Sequence, residues 1–182
     1  MHHVKITHLG PIQSCEINID HFTVLTGPQA SGKSTIAKTI YFFRTIKDDI
    51  LDSILKPVNR ENEAHKSSYE VLLKKHLRNK FLRIFGSTWA MPMDMSIVYT
   101  YSQDVSVRLF LREGYSIEDI FDDGKYKVKN VVDFIFSNSL QFYFKSLDHR
   151  NMNNISIEQK KAIEDELTDL FDDKYETVFI PA

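Results

Sequence analysis

The sequence predicts an α/β fold organised around one glycine-containing loop. Three observations predict it. Residues 4–26 alternate between apolar and polar in the two-residue period of strands, a helical period begins directly after the loop, and a second alternating tract follows a largely helical middle.

The elements can be justified in chain order. Val4 and Ile6 alternate, then Cys15, Ile17 and Ile19, and then Phe22-Thr23-Val24-Leu25 runs into glycine, so three strands are expected before the first helix, separated by Gly10-Pro11 and Asp20-His21. Ile36, Ile40 and Phe43 recur at steps of four and three, the apolar stripe of a helix from Ser34 to about Lys47. Pro57 should end any helix begun at Asp49 and open a mobile polar loop over residues 56–63. A helix then starts at Ser67, with Glu70 completing a capping box and Leu73, Leu77, Phe81 and Ile84 on one face.

After Gly86 the period returns to two. Ile97, Tyr99 and Tyr101, a turn at Ser102-Gln103-Asp104, and Val105, Val107, Leu109 and Leu111 predict an antiparallel hairpin with one buried face. Polar turns around Asp122-Asp123-Gly124, an apolar stretch over residues 131–144, a capped helix from Ser156 with Ile163, Leu167 and Leu170 inward, and a strand at Thr177-Val178-Phe179-Ile180 follow. The expected organisation is a single domain over 1–182. Strands, loop and first helix occupy 1–47, a helical insertion 48–94, the hairpin 95–112, and a mostly helical part 113–182 that ends on a strand.

Composition narrows the class. At 182 residues and 42% apolar side chains the chain can bury one substantial core, and a net charge of −2 gives no global attraction to nucleic acid or an anionic membrane. The lone Cys15 permits neither an internal disulfide nor a cysteine zinc site, which suits a reducing compartment. The absence of a secretory leader or a membrane-length apolar run predicts a soluble, cytoplasmic protein with no membrane partner. The histidines lack His-Glu-x-x-His spacing, so they predict no metal site.

The chemistry sits in Gly27-Pro28-Gln29-Ala30-Ser31-Gly32-Lys33-Ser34, which fits G-x-x-x-x-G-K-[ST] at every fixed position, with an apolar strand pattern before it and an amphipathic helix pattern after it. Backbone N–H groups of such a loop wrap a β-phosphate, Gly32 permits close approach, and the helix start turns its positive end toward the anion. Lys33 would neutralise the β- and γ-phosphates, and is the candidate catalytic residue; Ser34 would ligate Mg²⁺, and Thr35 would reach the α-phosphate. The expected cofactors are therefore ATP and Mg²⁺.

The order of two strands, a third strand and then the loop carries a family likeness. Val4-Lys5-Ile6-Thr7-His8-Leu9-Gly10-Pro11-Ile12, Cys15-Glu16-Ile17-Asn18-Ile19 and Phe22 through Thr35 resemble the N-terminal segment of ABC-type ATPase heads of the SMC/RecF/OLD group, also classed as AAA-family ATPases. Gln29 and Ala30 stand where that group usually has asparagine and glycine, a variant closer to OLD-like and anti-phage ATPases than to SMC proteins. The resemblance implies an ATP-binding lobe of a DNA-processing or defence ATPase. It also implies a partner subunit, or a second copy, supplying the serine-glycine-glycine signature motif. Neither that motif nor an apolar strand ending in Asp-Glu, the Walker B element, is found: Asp165-Glu166 falls in a helix pattern and Val131-Val132-Asp133 is too short. By family order both parts come later, so the chain is expected to be an incomplete head that hydrolyses ATP poorly alone.

Other features admit two readings each. Lys74, Lys75, His76, Arg78, Lys80 and Arg83 crowd one helix, as a DNA-contacting patch or a solvated face. Tyr99, Tyr101, Phe142, Tyr143 and Phe144 pack in the core or stack on a base. The loop over residues 10–14 is the expected neighbour of the adenine. Asp122-Asp123 and Asp172-Asp173 read as turn and helix-end residues. Two other functions suit the loop: a small nucleoside or nucleotide kinase, which usually carries the loop after its first strand, and a nucleotide-sensing module without turnover.

Overall fold

The computed structural model describes residues 1–20, 23–55, 68–115, 128–149 and 155–173. The predicted α/β character is present as one five-stranded sheet with helices on it. β1 (His2–Leu9) and β2 (Ile12–Ile19) form a hairpin, β3 (Ser96–Thr100) lies on the other side of β1, and β4 (Ser106–Tyr115) and β5 (Val128–Phe136) extend the sheet. The order is β2-β1-β3-β4-β5 and every neighbouring pair is antiparallel.

The two-residue period decides which face is covered. Ile6 sits opposite Ile97, Ile97 opposite Leu109 and Leu109 opposite Phe134, so one apolar row crosses four strands, and all four side chains are buried. Five helices cover this face and pack on one another: α1 (Lys33–Arg44), α2 (Ile46–Leu55), α3 (Tyr69–Phe85), α4 (Asn138–His149) and α5 (Ile157–Phe171). Aromatic rings make the joints. Phe43 of α1 stacks on Tyr99 at 5.2 Å, Phe42 meets Phe81 of α3 and Phe134 of β5, and Phe136 meets Phe144 of α4 edge-on at 5.0 Å. Tyr101 meets Phe171 of α5 at 4.7 Å and donates its hydroxyl to the Phe43 carbonyl.

Three expectations need correction, and a fourth lies partly outside the described residues. Residues 23–26 join no strand ladder among the described residues, and Val24 is 63% exposed, so the expected third strand has no seat on the sheet; Phe22 lies outside the described residues. The helix expected to reach Lys47 ends at Arg44. There the Thr45 hydroxyl bonds back to the Tyr41 and Phe42 carbonyls, and α2 starts afresh at Ile46. The capping box expected at Ser67 lies outside the described residues; α3 begins after Ser68, which makes no side-chain cap, and its first amide, that of Tyr69, donates instead to Asp148 of α4 at 2.8 Å. Finally, the strand pair expected over 95–112 is longer and has a further neighbour, because β4 runs on to Tyr115 and residues 128–136 form β5. Val132, Phe134 and Phe136 point into the core while Asp133 and Ile135 point out, an alternation hidden inside a continuous apolar run.

The helix capped by Ser156 is present, with the full reciprocal box between Ser156 and Gln159 and with Ile163 and Leu167 buried. The expected loop at 56–63, the turn at Asp122-Asp123-Gly124 and the strand at 177–180 lie outside the described residues.

A buried polar cluster ties the N-terminal end of β1 to the ends of α1 and α5. Arg44 grips the carboxylate of Asp173 at 2.9 and 3.2 Å, Lys47 donates to the Asp173 carbonyl, and His2 bonds the Tyr99 hydroxyl at 3.0 Å. Burial, with Arg44 and the amino terminus adding to it and Asp173 opposing it, holds the His2 imidazole below its ordinary 6.5. The unfolded chain therefore binds a proton that the folded chain refuses, and stability should fall as pH drops through 6.5 toward the lower folded value. Urea midpoints measured from pH 8 down to pH 5 should show this slope, and His2→Gln should flatten it.

Candidate phosphate-binding loop

The loop is built on the end of the β1–β2 hairpin. Gly10 opens its two-residue turn at φ +57°, a conformation side chains rarely adopt, Pro11 completes the turn, and β2 begins at Ile12. Gly32 rests on this turn: a Cβ there would lie 2.8 Å from Ile12 Cγ1 and 3.3 Å from Pro11 Cγ, and Gly32 itself has φ +92°. Space and backbone both demand glycine at that point.

From there the chain enters α1. Gly32 is the helix N-cap in the left-handed region, no side chain caps the first turn, and no acidic residue stands in it. The positive end of the helix thus faces the loop without a carboxylate to offset it. The Gly32 carbonyl already accepts the amide of Ile36 at 2.9 Å, so the helix is regular from its first turn.

Lys33 folds back across the loop. Its ammonium donates to the Gly27 carbonyl at 2.7 Å, to the Pro28 carbonyl, and to Ser31 Oγ at 3.3 Å, closing residues 27–33 into a ring. Ala30 takes φ +62° inside that ring, a left-handed conformation that costs a residue with a Cβ roughly 1–2 kcal/mol. Pro28, Gln29, Ala30, Ser31 and Ser34 are exposed, and Lys33 and Thr35 are half-buried. The result is an exposed turn with a fixed cation, a helix N-terminus and an exposed Ser34. Thr35 uses its carbonyl to hold the Thr39 hydroxyl at 2.8 Å, and its own Oγ1 lies near Gly10.

The remaining candidates divide. The basic run on α3 does not form one face: Lys80 is buried against Asp49 and Thr45, Arg78 donates to the Val132 carbonyl at 2.8 Å, Lys74 pairs with Glu70, and His76 reaches Asp49. Only Lys75 and Arg83 of the Lys/Arg residues named there are exposed. Tyr99, Tyr101 and Phe144 are core residues, whereas Phe142 is exposed. Asp133 points away from the helices and bonds Arg112; burial raises its pKa, but the amide of Phe134 and the Arg112 guanidinium outweigh it and hold the carboxyl below the usual 3.8. It also lies three strands from β1, about 14 Å by ordinary strand spacing. Asp165 and Glu166 lie in α5, and Asp173 is committed to Arg44. Among the described residues, no group of three or more His, Cys, Asp or Glu side chains is placed to hold a metal ion.

Two features had no counterpart in the sequence reading. One is the buried pairing of Arg44 with Asp173, from positions 129 apart, which no local pattern announces. The other is an open groove of about 770 Å³ between α4 and α5, which shares no residue with the loop. No helix among the described residues is long and apolar enough to cross a membrane. The chain matches no protein-family model, no curated protein and no solved structure.

Gly32→Ala should push the loop off the Pro11–Ile12 turn, lowering the thermal midpoint and removing any phosphate ligand affinity together. Ala30→Gly, which relieves the left-handed strain, should leave the fold intact and the midpoint unchanged or slightly raised. Differential scanning calorimetry on the two variants checks both.

Proposed function

We propose that this chain binds ATP with Mg²⁺ through residues 27–35 and serves as the ATP-binding lobe of an ABC/SMC-type ATPase, in a DNA-processing or anti-phage defence system. The observation that carries the reading is the Lys33 ammonium folded over a loop whose glycines hold positive φ at an uncapped helix start. That arrangement collects backbone amides, a helix dipole and one fixed cation at a single exposed turn, which is the chemistry a polyphosphate requires.

The residues fit the group. The amides of residues 29–33 would line the β-phosphate, Lys33 would exchange some of its carbonyl contacts for phosphate oxygens, Thr35 would reach the α-phosphate, and Ser34 would offer its hydroxyl to Mg²⁺. Bound Mg²⁺ would supply charge neutralisation across the β- and γ-oxygens. The residues of the chain itself bind and orient the tail; nothing described here activates water.

Two features support a partner. Residues 23–26, Thr-Val-Leu-Thr, are strand-prone in sequence, pair with no strand among the described residues and are exposed except for the half-buried Leu25, so a strand of a partner could pair with them. The loop is also without a neighbouring carboxylate cluster among the described residues. A partner subunit or second head would contribute the signature motif and the acidic residues of a complete ATPase, and turnover would then depend on assembly. The antiparallel sheet corresponds to the antiparallel portion expected from the N-terminal strands and the Tyr99 hairpin, and the P-loop NTPase fold is part of this proposal. The same missing carboxylates favour a second reading, a nucleotide-sensing module that binds without turnover.

Titration calorimetry with Mg-ATP should show binding that Lys33→Ala weakens at least about tenfold, or about 1.4 kcal/mol. Adenosine should give no heat, because it lacks the tail that the loop grips. Equal binding by wild type and Lys33→Ala, or binding of adenosine as tight as that of ATP, would refute the reading. Turnover that stays absent with every partner present would leave the sensor.

A further inference from the structure

A nucleotide site leaves unused both the exposed side of α3 and the groove between α4 and α5, and these two surfaces match each other. Of the five Lys or Arg on α3 only Lys75 and Arg83 are exposed, and the exposed Glu166 and Asp169 of α5 line the groove. On the solvent side of α3, Val71 is 55% exposed and Leu82 38% exposed, with Lys75 between them, and Arg83 lies about 100° further round the helix than Leu82. At 100° per residue Val71, Lys75 and Leu82 fall within about 40° of one another, a narrow basic and apolar stripe. The groove has the complementary make-up: Phe142, 77% exposed, and Leu170 supply apolar surface, and Glu166 and Asp169 supply acid along the same lining.

We propose that the α3 stripe of a second copy of this chain docks in the α4–α5 groove. The stripe lies opposite Leu73 and Leu77, which face the core of its own molecule, so it cannot reach its own groove. Val71 and Leu82 cover Phe142 and Leu170, while Lys75 meets the acidic side of the groove at Glu166 and Asp169 and Arg83 lies at its rim. Duplex DNA is the poorer occupant of the stripe, since only two of the five α3 cations are exposed and phosphates would face Val71 and Leu82. The contact does not depend on nucleotide binding.

Sedimentation velocity of the full chain, across protein concentration and at low and high salt, tests this. Wild type should self-associate, less so at high salt. The pair Lys75→Glu with Arg83→Glu, and separately the pair Glu166→Lys with Asp169→Lys, should each weaken association roughly tenfold or more while circular dichroism stays native. Mixing the two charge-reversed proteins should restore it, because each then offers a complementary surface to the other. Phe142→Ser should weaken association at both salt concentrations. A chain that stays monomeric throughout, reversed variants that associate like wild type, or a mixture that fails to recover would overturn the proposal. So would variants at Lys75 and Arg83 that lose duplex DNA binding with association unchanged.

Discussion

Gly32 lies against Pro11 and Ile12 with no room for a side chain, and through that contact the sheet dictates the shape of the loop. The β1–β2 hairpin fixes where its turn sits, the turn fixes Gly32, and Gly32 sets the direction in which α1 leaves. Lys33, the first residue of α1, is thereby placed to reach back to the carbonyls of Gly27 and Pro28. A loop of exposed polar residues would otherwise sample many conformations, and ordering it costs on the order of 1 kcal/mol per residue. Here that cost is offset by packing on the hairpin and by the lysine ring, so the turn is ordered without a ligand.

The far end of α1 is held as firmly as its start. Phe42 and Phe43 anchor it to the sheet and to α3, and Arg44 and Lys47 hold the segment that follows α5. The Lys80 ammonium, buried among Thr45, Asp49 and the Phe42 ring, locks the break between α1 and α2. Removing one partner of such a pair strands a buried charge, which is costly; the arrangement therefore specifies one packing of α1, α2 and α3 rather than simply adding stability. The loop is thus presented by a helix that cannot rotate or slide without breaking contacts at both ends.

Much of this was legible in the residues. Strands with strict alternation, at Val4 and Ile6 and again from Ile97 to Leu111, were found because a half-buried sheet imposes that period. The Ser156 box was found because its partners are three residues apart. The turn ahead of α1 and the helix start after it were legible because their glycines and lysine sit next to each other in sequence. The failures come from partners distant in sequence and from local signals that a simple hydrophobic period does not carry. Asp148 caps α3 from another helix, Thr45 ends α1 through its own hydroxyl, and β5 hides in an apolar run that continues into α4. At residues 23–26 the local preference for a strand was misleading, because a strand also needs a neighbour, and the described sheet offers none. The basic helix misled in the same way, because sequence spacing cannot show that Lys80 is buried and Arg78 bonded to backbone.

Amide hydrogen exchange at residues 29–35, with and without Mg-ATP, addresses the central claim most directly, since it reads the backbone N–H groups themselves. If a polyphosphate is held by this turn, those amides slow markedly with Mg-ATP and with pyrophosphate, do not slow with adenosine, and do not slow in Lys33→Ala. If exchange at the turn is the same with and without nucleotide while protection appears elsewhere in the chain, the loop is not the binding site and the account is wrong.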